Sequence, residues 1–256
     1  MQKNTKIILS ALLATSLLGV AALLAYNYQN KTSFKYSENE APLEVSQNAQ
    51  DPVNKEIIEE AKKLKETRQN SNLTKVLEKD FVLGDANAKI TVIEYASLSC
   101  PHCASFSRES FERLKEEYID SGKVKFVYRN FPLNHPALMA AMFSKCGAAT
   151  APDKAAKYYE ITKILFKTQD SWAFDEKFKD KLASIAQLDG MSGADFEKCI
   201  NNQKLQEEVL KERTLAAQNL QLRSTPTFFI NGEISEGYVD YVSLKKLIDK
   251  KLSEVK

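Results

Sequence analysis

The sequence predicts an α/β fold in which strands and helices at both ends of a domain enclose an inserted block of helices. Short runs of apolar residues, typical of buried strands, occur at 90–95, 124–128 and 227–230. By contrast, about eighty residues, 137–222, carry no strand pattern. We therefore expect a small sheet covered by helices, with this stretch inserted as a helical subdomain.

Before the insertion, the sequence predicts three strands and one helix. Phe81–Asp85 and Ile90–Tyr95 are expected as strands joined by a polar turn, and Val124–Tyr128 is expected as the third strand. Between the second and third strands, residues 104–115 carry apolar positions at roughly helical spacing, which favours a helix.

The insertion itself predicts four or five helices. Two of them are expected to begin at Thr150 and Ser192, because each is a capping residue with an acid three positions later. We expect the aromatic residues of this block in the core and not in substrate contacts. They are Tyr158, Tyr159, Trp172, Phe174 and Phe178.

After the insertion, the sequence predicts a hairpin and a closing helix. Thr227–Ile230 and a stretch near Ile234 flank Asn231-Gly232, a dipeptide that favours a two-residue hairpin turn. Leu244–Leu252 then has the pattern of a helix that ends the fold.

The N-terminus predicts export. Lys3 and Lys6 precede an uncharged, mostly apolar run that ends near small residues. This pattern is typical of a signal peptide, here 1–22, that is cleaved after a small residue. The run is also about long enough to span a bilayer as a retained anchor, so both alternatives stay open. In either case we expect the rest of the chain in the periplasm.

Residues 23–70 predict a linker before a domain that we expect over 71–256. Polar residues dominate 29–51, as in a flexible tether. Val53–Arg68 then has the narrow apolar stripe of an amphipathic helix, formed by Val53, Ile57, Ala61 and Leu64. Such a helix can dock on the domain or mediate self-association. Because about four turns are marginal alone, we expect a monomer.

The charge balance argues against nucleic acid as a partner. The chain has 36 Lys and Arg against 34 Asp and Glu, a net charge of +2. Without the two leader lysines the basic count falls from 36 to 34, equal to the 34 acidic residues. A nucleic-acid-binding domain normally shows a basic patch or a high pI.

Cys100-Pro101-His102-Cys103 is the chemical centre of the sequence. The motif follows a strand and opens a helix, which is the setting of a redox dithiol. Unpaired amide donors and the helix dipole stabilise negative charge there. We therefore expect Cys100 to be a thiolate and a nucleophile near neutral pH or below. Pro101 fits the first helical position, because the N–H that it lacks would have no partner there.

Metal and haem are weaker interpretations of this motif. A zinc site needs four ligands, usually from two such cysteine pairs. The other thiols, Cys146 and Cys199, stand alone, and histidine occurs only at positions 102 and 135. Covalent haem attachment needs a histidine directly after the second cysteine, where this chain has Ala104. We expect no metal and no cofactor.

Two separated segments resemble the DsbA-like branch of the thioredoxin superfamily, bacterial enzymes that insert disulfides into exported proteins. One is 95–106, around the dithiol, and the other is 223–233, which looks like the family's cis-proline loop and the strand after it. The resemblance covers roughly Leu73–Leu252, with Ser224 where a glycine is common. It implies a thioredoxin-like fold with a helical insertion, and a cis Thr225–Pro226 bond that faces the dithiol at the substrate site.

The motif and the resemblance together assign a role to each site residue. Cys100 exchanges with substrate sulfur, Cys103 resolves the mixed disulfide, and His102 supports the thiolate through charge or hydrogen bonding. Glu94 is an acid in an otherwise apolar strand, which is costly unless it titrates or is hydrated. In the family a buried acid at this position is thought to help move the proton of the inner cysteine. An exposed strand edge is the alternative.

Cys146 and Cys199 remain outside the dithiol, and both lie in the helical insertion. Persistent free thiols are less expected in an oxidising compartment, so we expect a second, structural disulfide between them. The alternative is two separately buried thiols, which behave as small apolar residues.

Disulfide insertion is the favoured function, because a stable Cys100 thiolate makes the disulfide a stronger oxidant. By resemblance, the substrates are exported proteins with reduced cysteines, and a membrane quinone-linked partner reoxidises the dithiol. Two alternatives stay open. One is a disulfide isomerase or reductase of the same fold. The other is a copper carrier that uses Cys100, Cys103 and His102 as soft ligands.

Overall fold

The structure, a computed structural model, describes residues 52–255. The chain divides into two units, Met1–Ile57 and Ile58–Lys256. Only the last six residues of the first unit, which begin a helix, are described. The predicted leader and polar tether therefore lie outside the described residues. Within 52–255, no helix is both long enough and apolar enough to cross a bilayer.

Ten α-helices and five strands make up the described part of the chain. The helices are α1 Pro52–Asn70, α2 Pro101–Glu109, α3 Phe111–Leu114, α4 His135–Ala149, α5 Lys154–Lys167, α6 Gln169–Trp172, α7 Phe178–Leu188, α8 Gly193–Ile200, α9 Gln203–Asn219 and α10 Tyr241–Glu254. The strands are β1 Val82–Leu83, β2 Ile90–Ala96, β3 Val124–Asn130, β4 Thr227–Ile230 and β5 Glu233–Glu236. A π-helical turn, Lys115–Ile119, follows α3.

The five strands form one sheet in the order β1-β3-β2-β4-β5. Strand β2 is central, because it pairs in parallel with β3 and antiparallel with β4. Strand β1 pairs with β3 and not with β2, its neighbour in sequence. The predicted hairpin is confirmed: β4 and β5 meet across Asn231 and Gly232, whose φ angles of 47° and 82° suit a two-residue turn.

Successive side chains of β2 point to opposite faces of the sheet, and each face packs against a different core. Val92 and Ala96 pack in the larger core, with α2 and the helical insertion. Ile93 and Tyr95 pack in a smaller core, with the last turns of α9. Because side chains alternate between the faces of a strand, Glu94 lies on the same face as Val92 and Ala96, towards α2.

Within residues 135–219 the insertion has six helices, α4–α9, because α6 adds a single turn to the predicted four or five. Ser192 caps α8 as predicted, and its hydroxyl accepts from a first-turn N–H. The predicted start at Thr150 is wrong, since the Asp153 side chain caps α5 instead. Pro152 explains the shift, because the residue before a proline is biased away from helical backbone.

Most of the insertion's aromatic residues lie in the core. Tyr158, Tyr159 and Trp172 are buried, and Phe178 is half-buried. The prediction for Phe174 is wrong, because its side chain is 67% exposed. Phe174 lies in the connection between α6 and α7, where no helix face directs it inward.

Helix α1 covers the segment for which an amphipathic helix is predicted, and the described part of its apolar stripe is only partly buried. The side chains of Val53 and Ile57 lie outside the described part. Of the other two positions, Ala61 is exposed and Leu64 is half-buried. Near the end of α1, Arg68 Nε donates to the carbonyl of Leu220 over 2.7 Å. The last turn therefore docks on the domain.

A buried ion pair holds the segment before β1 against the smaller core. Arg129 in β3 and Asp80 lie 2.6 Å apart, and their side chains are 6% and 5% exposed. The guanidinium also donates to the Tyr95 hydroxyl over 2.7 Å and to the carbonyls of Leu73 and Lys75. These contacts supply the hydrogen bonds that a buried charge requires.

Asp80→Asn is expected to lower the free energy of unfolding by about 3–5 kcal/mol, because it leaves the buried Arg129 without its counter-charge. Urea denaturation measures the change. The matched control is Asp120→Asn, which breaks a pair with Lys115 whose side chains are 50% and 37% exposed. That change is expected to cost less than about 1 kcal/mol. Equal losses for both variants would contradict an anchoring role for Arg129.

Candidate active site

The dithiol lies at the start of α2, just after the end of β2. Cys100 is the N-cap residue of α2, Pro101 occupies its first helical position as predicted, and Cys103 lies within the first turn. Both cysteines are free thiols, and they are 5% and 0% exposed. The local sequence thus places the two sulfurs at a helix N-terminus, one turn apart.

The Cys100 thiol is a strong acid for a cysteine. Its pKa falls from 9.0 to about 5, and the largest cause is the hydrogen bond that the Cys103 thiol donates to its sulfur. The Thr225 side chain and the backbone N–H groups of Cys103 and His102 lower the pKa further, whereas burial raises it. Neither N–H makes a capping hydrogen bond of normal geometry, so these amides act as dipoles directed at the sulfur.

Cys103 has the opposite character. Burial raises the pKa of Cys103 well above its ordinary value, and its hydrogen bond to Cys100 and the charge of Glu94 raise it further. The two thiols therefore differ at neutral pH: Cys100 carries the negative charge and Cys103 keeps its proton. A nucleophile beside a protonated partner is the arrangement that stepwise disulfide exchange needs.

His102 acts on Cys100 through its backbone N–H. Its side chain is exposed, and its ring centre lies 6.4 Å from that of Tyr238. The Tyr238 hydroxyl in turn donates to Glu109 over 2.9 Å. Support of the thiolate by the imidazole itself stays a prediction.

Thr225 and Pro226 lie against the dithiol. The peptide bond between them is cis, the geometry that the resemblance implies. As a thiol, Cys100 donates to the carbonyl oxygen of Thr225, with 3.3 Å between sulfur and oxygen. The Thr225 hydroxyl is buried and has no hydrogen bond of normal geometry within residues 52–255. The backbone of this loop therefore faces the reacting sulfur.

Glu94 is buried in the central strand. It lies between Tyr128 of β3 and Phe228 of β4, and it is 3% exposed. Burial raises the pKa of Glu94 well above its ordinary value, and negative charge at Cys100 raises it further. This position excludes the alternative of an exposed strand edge.

Several known proteins are similar in sequence to this chain. A family model described as thioredoxin matches residues 76–250, more than half of the chain. A putative protein-disulfide oxidoreductase of Rickettsia conorii is 33% identical over 182 residues, which cover 71% of this chain and 64% of the relative. A probable disulfide bond formation protein D of Bacillus anthracis is 30% identical over 178 residues, 67% of this chain and 78% of the relative.

Among solved structures, the crystal structure of alpha-DsbA1 from Wolbachia pipientis superimposes with a TM-score of 0.65. The two sequences are 34% identical, and the match covers 70% of this chain and 94% of that one. This chain belongs to the DsbA-like branch of the thioredoxin superfamily. It spans just under two thirds of the length of the Rickettsia conorii relative, 64%.

In this DsbA-like chain, Gln169 is a site residue that the sequence did not reveal. Its buried side-chain amide donates to the carbonyl of Leu98 over 2.7 Å and to that of Cys100 over 3.1 Å. Gln169 begins α6, so the insertion holds the backbone on which the dithiol stands. A glutamine in a helical stretch carries no sequence signal of such a contact, because only the packed fold buries it.

The two cysteines outside the active site also lie next to each other. Cys146 in α4 and Cys199 in α8 form a disulfide in the structure, with 6.1 Å between their Cα atoms. The bond joins two helices of the insertion of this DsbA-like fold. In the described range 52–255, no three or more His, Cys, Asp or Glu side chains are grouped to hold a metal ion.

Cys103→Ala is expected to raise the pKa of Cys100 from about 5 towards its ordinary value, because the variant loses the strongest stabilising hydrogen bond. The rate of Cys100 alkylation, measured against pH on the reduced protein, reports this pKa. Cys103→Ser is the matched control, since its hydroxyl can still donate to the thiolate and should retain part of the effect. Coincident alkylation curves for the two variants would count against this hydrogen bond as the main cause.

Proposed function

We propose that this chain is a thiol-disulfide oxidoreductase that inserts disulfides into exported proteins at Cys100 and Cys103. The unequal protonation of the two thiols carries this proposal. A stable Cys100 thiolate favours the reduced dithiol, which makes the disulfide form an oxidant of other thiols. The names of the two relatives, putative protein-disulfide oxidoreductase and probable disulfide bond formation protein D, support the same activity.

The first step forms a mixed disulfide. A substrate thiolate attacks Cys100 Sγ, a bond forms between the two sulfurs, and the Cys100–Cys103 bond breaks with its electron pair on Cys103. Because Cys103 is buried and its pKa is high, this thiolate takes up a proton. We propose Glu94 as the donor, since burial raises the pKa of its carboxyl well above the ordinary value and so favours the protonated form.

The second step releases the product. A second substrate thiolate attacks the substrate sulfur of the mixed disulfide, and Cys100 leaves as a thiolate. Its low pKa makes it a good leaving group. Two electrons thus pass from the substrate to the dithiol. We propose that the loop at Thr225 and Pro226 binds the substrate backbone beside Cys100, and that a membrane quinone-linked partner reoxidises the dithiol.

We also propose that the chain works in the periplasm as a monomer, either released from its leader or tethered by it. The disulfide between Cys146 and Cys199 supports this location, because structural disulfides persist in oxidising compartments and are rare in the cytosol.

Cys100→Ser is expected to abolish oxidation of a reduced test protein, whereas Cys103→Ser should accumulate mixed disulfides through Cys100. Non-reducing electrophoresis with mass spectrometry of the trapped species distinguishes the two results. The redox potential of the wild-type dithiol then separates oxidase from reductase. We expect a value above about −180 mV, and a value near the thioredoxin range, about −270 mV, would favour a reductase. A copper titration of the reduced protein tests the carrier alternative.

Glu94→Gln is expected to stabilise the oxidised protein increasingly as the pH rises. Because the folded pKa of Glu94 is raised, the wild-type fold holds one proton more than the unfolded chain above the ordinary carboxyl pKa. Wild-type stability therefore falls as the pH rises towards the folded pKa, by at most about 1.4 kcal/mol per pH unit. Glutamine does not titrate, so the variant avoids this loss.

Urea denaturation of both oxidised proteins, repeated from mildly acidic to mildly alkaline pH, measures the difference, since neither active-site cysteine titrates in the disulfide form. The same variant should oxidise a test protein more slowly, because it has no proton to give to Cys103. Parallel stability curves for Glu94→Gln and wild type would contradict a raised folded pKa.

A further inference from the structure

Tyr238 is a large aromatic residue that lies exposed beside the dithiol. It is 40% exposed, although the next residue, Val239, is buried in the core. Its ring centre lies 6.4 Å from that of His102 in the dithiol motif. The residue before it, Gly237, donates its N–H to the carbonyl of Pro226 over 2.9 Å. Tyr238 therefore adjoins both the dithiol motif and the loop that we propose as the site of substrate backbone binding.

A hydrogen bond restrains the Tyr238 ring at this position. Its hydroxyl donates to Glu109 Oε2 over 2.9 Å, and Glu109 ends α2, about two turns after His102. This hydrogen bond raises the pKa of the Tyr238 hydroxyl, as do burial and the charge of Asp240, so the group stays a donor at neutral pH. A tyrosine also has few rotatable bonds, so little entropy is lost when a ligand packs on its ring.

Two carboxylates near Tyr238 have no counter-charge. Glu109 and Asp240 are both exposed, and neither forms an ion pair within residues 52–255. The two arginines nearest to Glu109 along the chain have other contacts. Arg108 donates to a backbone carbonyl over 3.3 Å, and the guanidinium of Arg113 lies 3.9 Å from the centre of an aromatic ring. The surface at Tyr238 is therefore acidic as well as aromatic.

An arginine side chain matches both properties of this surface. The planar guanidinium stacks on aromatic rings, and its N–H groups donate to carboxylates. Glu109 accepts from Tyr238 through Oε2, and its other oxygen, Oε1, accepts no hydrogen bond within the described part of the chain. A lysine could pair with the carboxylate but has no planar group to stack on the ring. An acidic side chain would be repelled by Glu109.

We propose that Tyr238 and Glu109 bind an arginine side chain next to the reacting cysteine of the substrate, so that the enzyme favours basic segments. This inference rests on the proposed function, in which the substrate cysteine bonds to Cys100. The two residues determine specificity and take no part in the transfer of electrons or protons. His102 contacts Tyr238 and lies two positions after Cys100, so a residue adjacent to the bonded cysteine is suitably placed for this contact.

Glu109→Gln tests the charge, because it removes the negative charge and keeps an oxygen that accepts from Tyr238. The substrates are two dithiol peptides, one with arginine and one with citrulline beside each cysteine. Citrulline has a similar shape and no charge. Stopped-flow measurements give the rate at which each peptide reduces the Cys100–Cys103 disulfide of the full chain. Because arginine also lowers the pKa of the peptide's own cysteines, the quantity compared between proteins is the ratio of the two rates.

We expect the ratio of the arginine rate to the citrulline rate to be about fivefold lower in Glu109→Gln and in Tyr238→Leu than in wild type. This is the size expected of one exposed cation–π contact and one exposed ion pair together. Added salt should lower the wild-type ratio more than that of Glu109→Gln, since salt screens exposed charges. A wild-type ratio in either variant overturns the proposal.

Glu207→Gln is the matched control. Glu207 is an exposed acid on α9 that also accepts one side-chain hydrogen bond, from Gln203 over 2.9 Å. The substitution changes the net charge of the protein by the same amount, so it should leave the ratio at the wild-type value. A ratio that falls equally in Glu207→Gln and Glu109→Gln would assign the preference to net charge and overturn the proposal.

Peptides in which serine replaces cysteine test the contact without disulfide exchange. The arginine form should shift the NMR resonances of the Tyr238 ring at lower peptide concentration than the citrulline form. Equal titrations overturn the proposal. If the wild type oxidises neither dithiol peptide, the proposed function fails, and these titrations still decide whether Tyr238 and Glu109 bind arginine. Oxidation of both dithiol peptides with the same ratio in all four proteins leaves the proposed function intact and overturns only the specificity.

Discussion

Three acidic groups, Glu94, Cys103 and Cys100, lie in one buried region where β2 meets α2, and burial disfavours charge on each of them. The hydrogen bond from Cys103 and the amides of the first helical turn lower only the pKa of Cys100. Burial raises the pKa values of the other two, and the negative charge on Cys100 raises them further. The reduced site therefore favours negative charge on the outer sulfur over the inner one, which gives the two thiols of the motif different chemical roles.

The rest of the fold preserves this arrangement. Strand β2 is central, and its side chains alternate between the two faces of the sheet. Glu94 therefore lies on the face towards the dithiol, and Tyr95 lies on the opposite face. On that opposite side the pair of Arg129 and Asp80 holds the segment before the sheet. On the dithiol side the Gln169 amide holds the carbonyls that precede α2. Each contact is buried and paired, which is why its loss is expected to cost more than a surface contact.

The helical insertion contacts the active site directly and does not only cover the sheet. Its helices are joined by the bond between Cys146 and Cys199, which limits their relative movement. Gln169 at the start of α6 reaches the active-site loop. Thr162 on α5 lines a small cavity together with Glu94.

The sequence by itself determined the features that depend on neighbouring residues: the dithiol at a helix start, the hairpin at Asn231-Gly232 and the cap at Ser192. Each is a preference of a few consecutive residues, so a local pattern is sufficient to predict it. The tertiary structure decided which side chains are buried and which residues they contact. Gln169 contacts a carbonyl 69 residues away, and Phe174 is exposed although Trp172 and Ala173 directly before it are core. Burial and hydrogen bonding across such distances arise only when the helices pack, because no local periodicity encodes the partner.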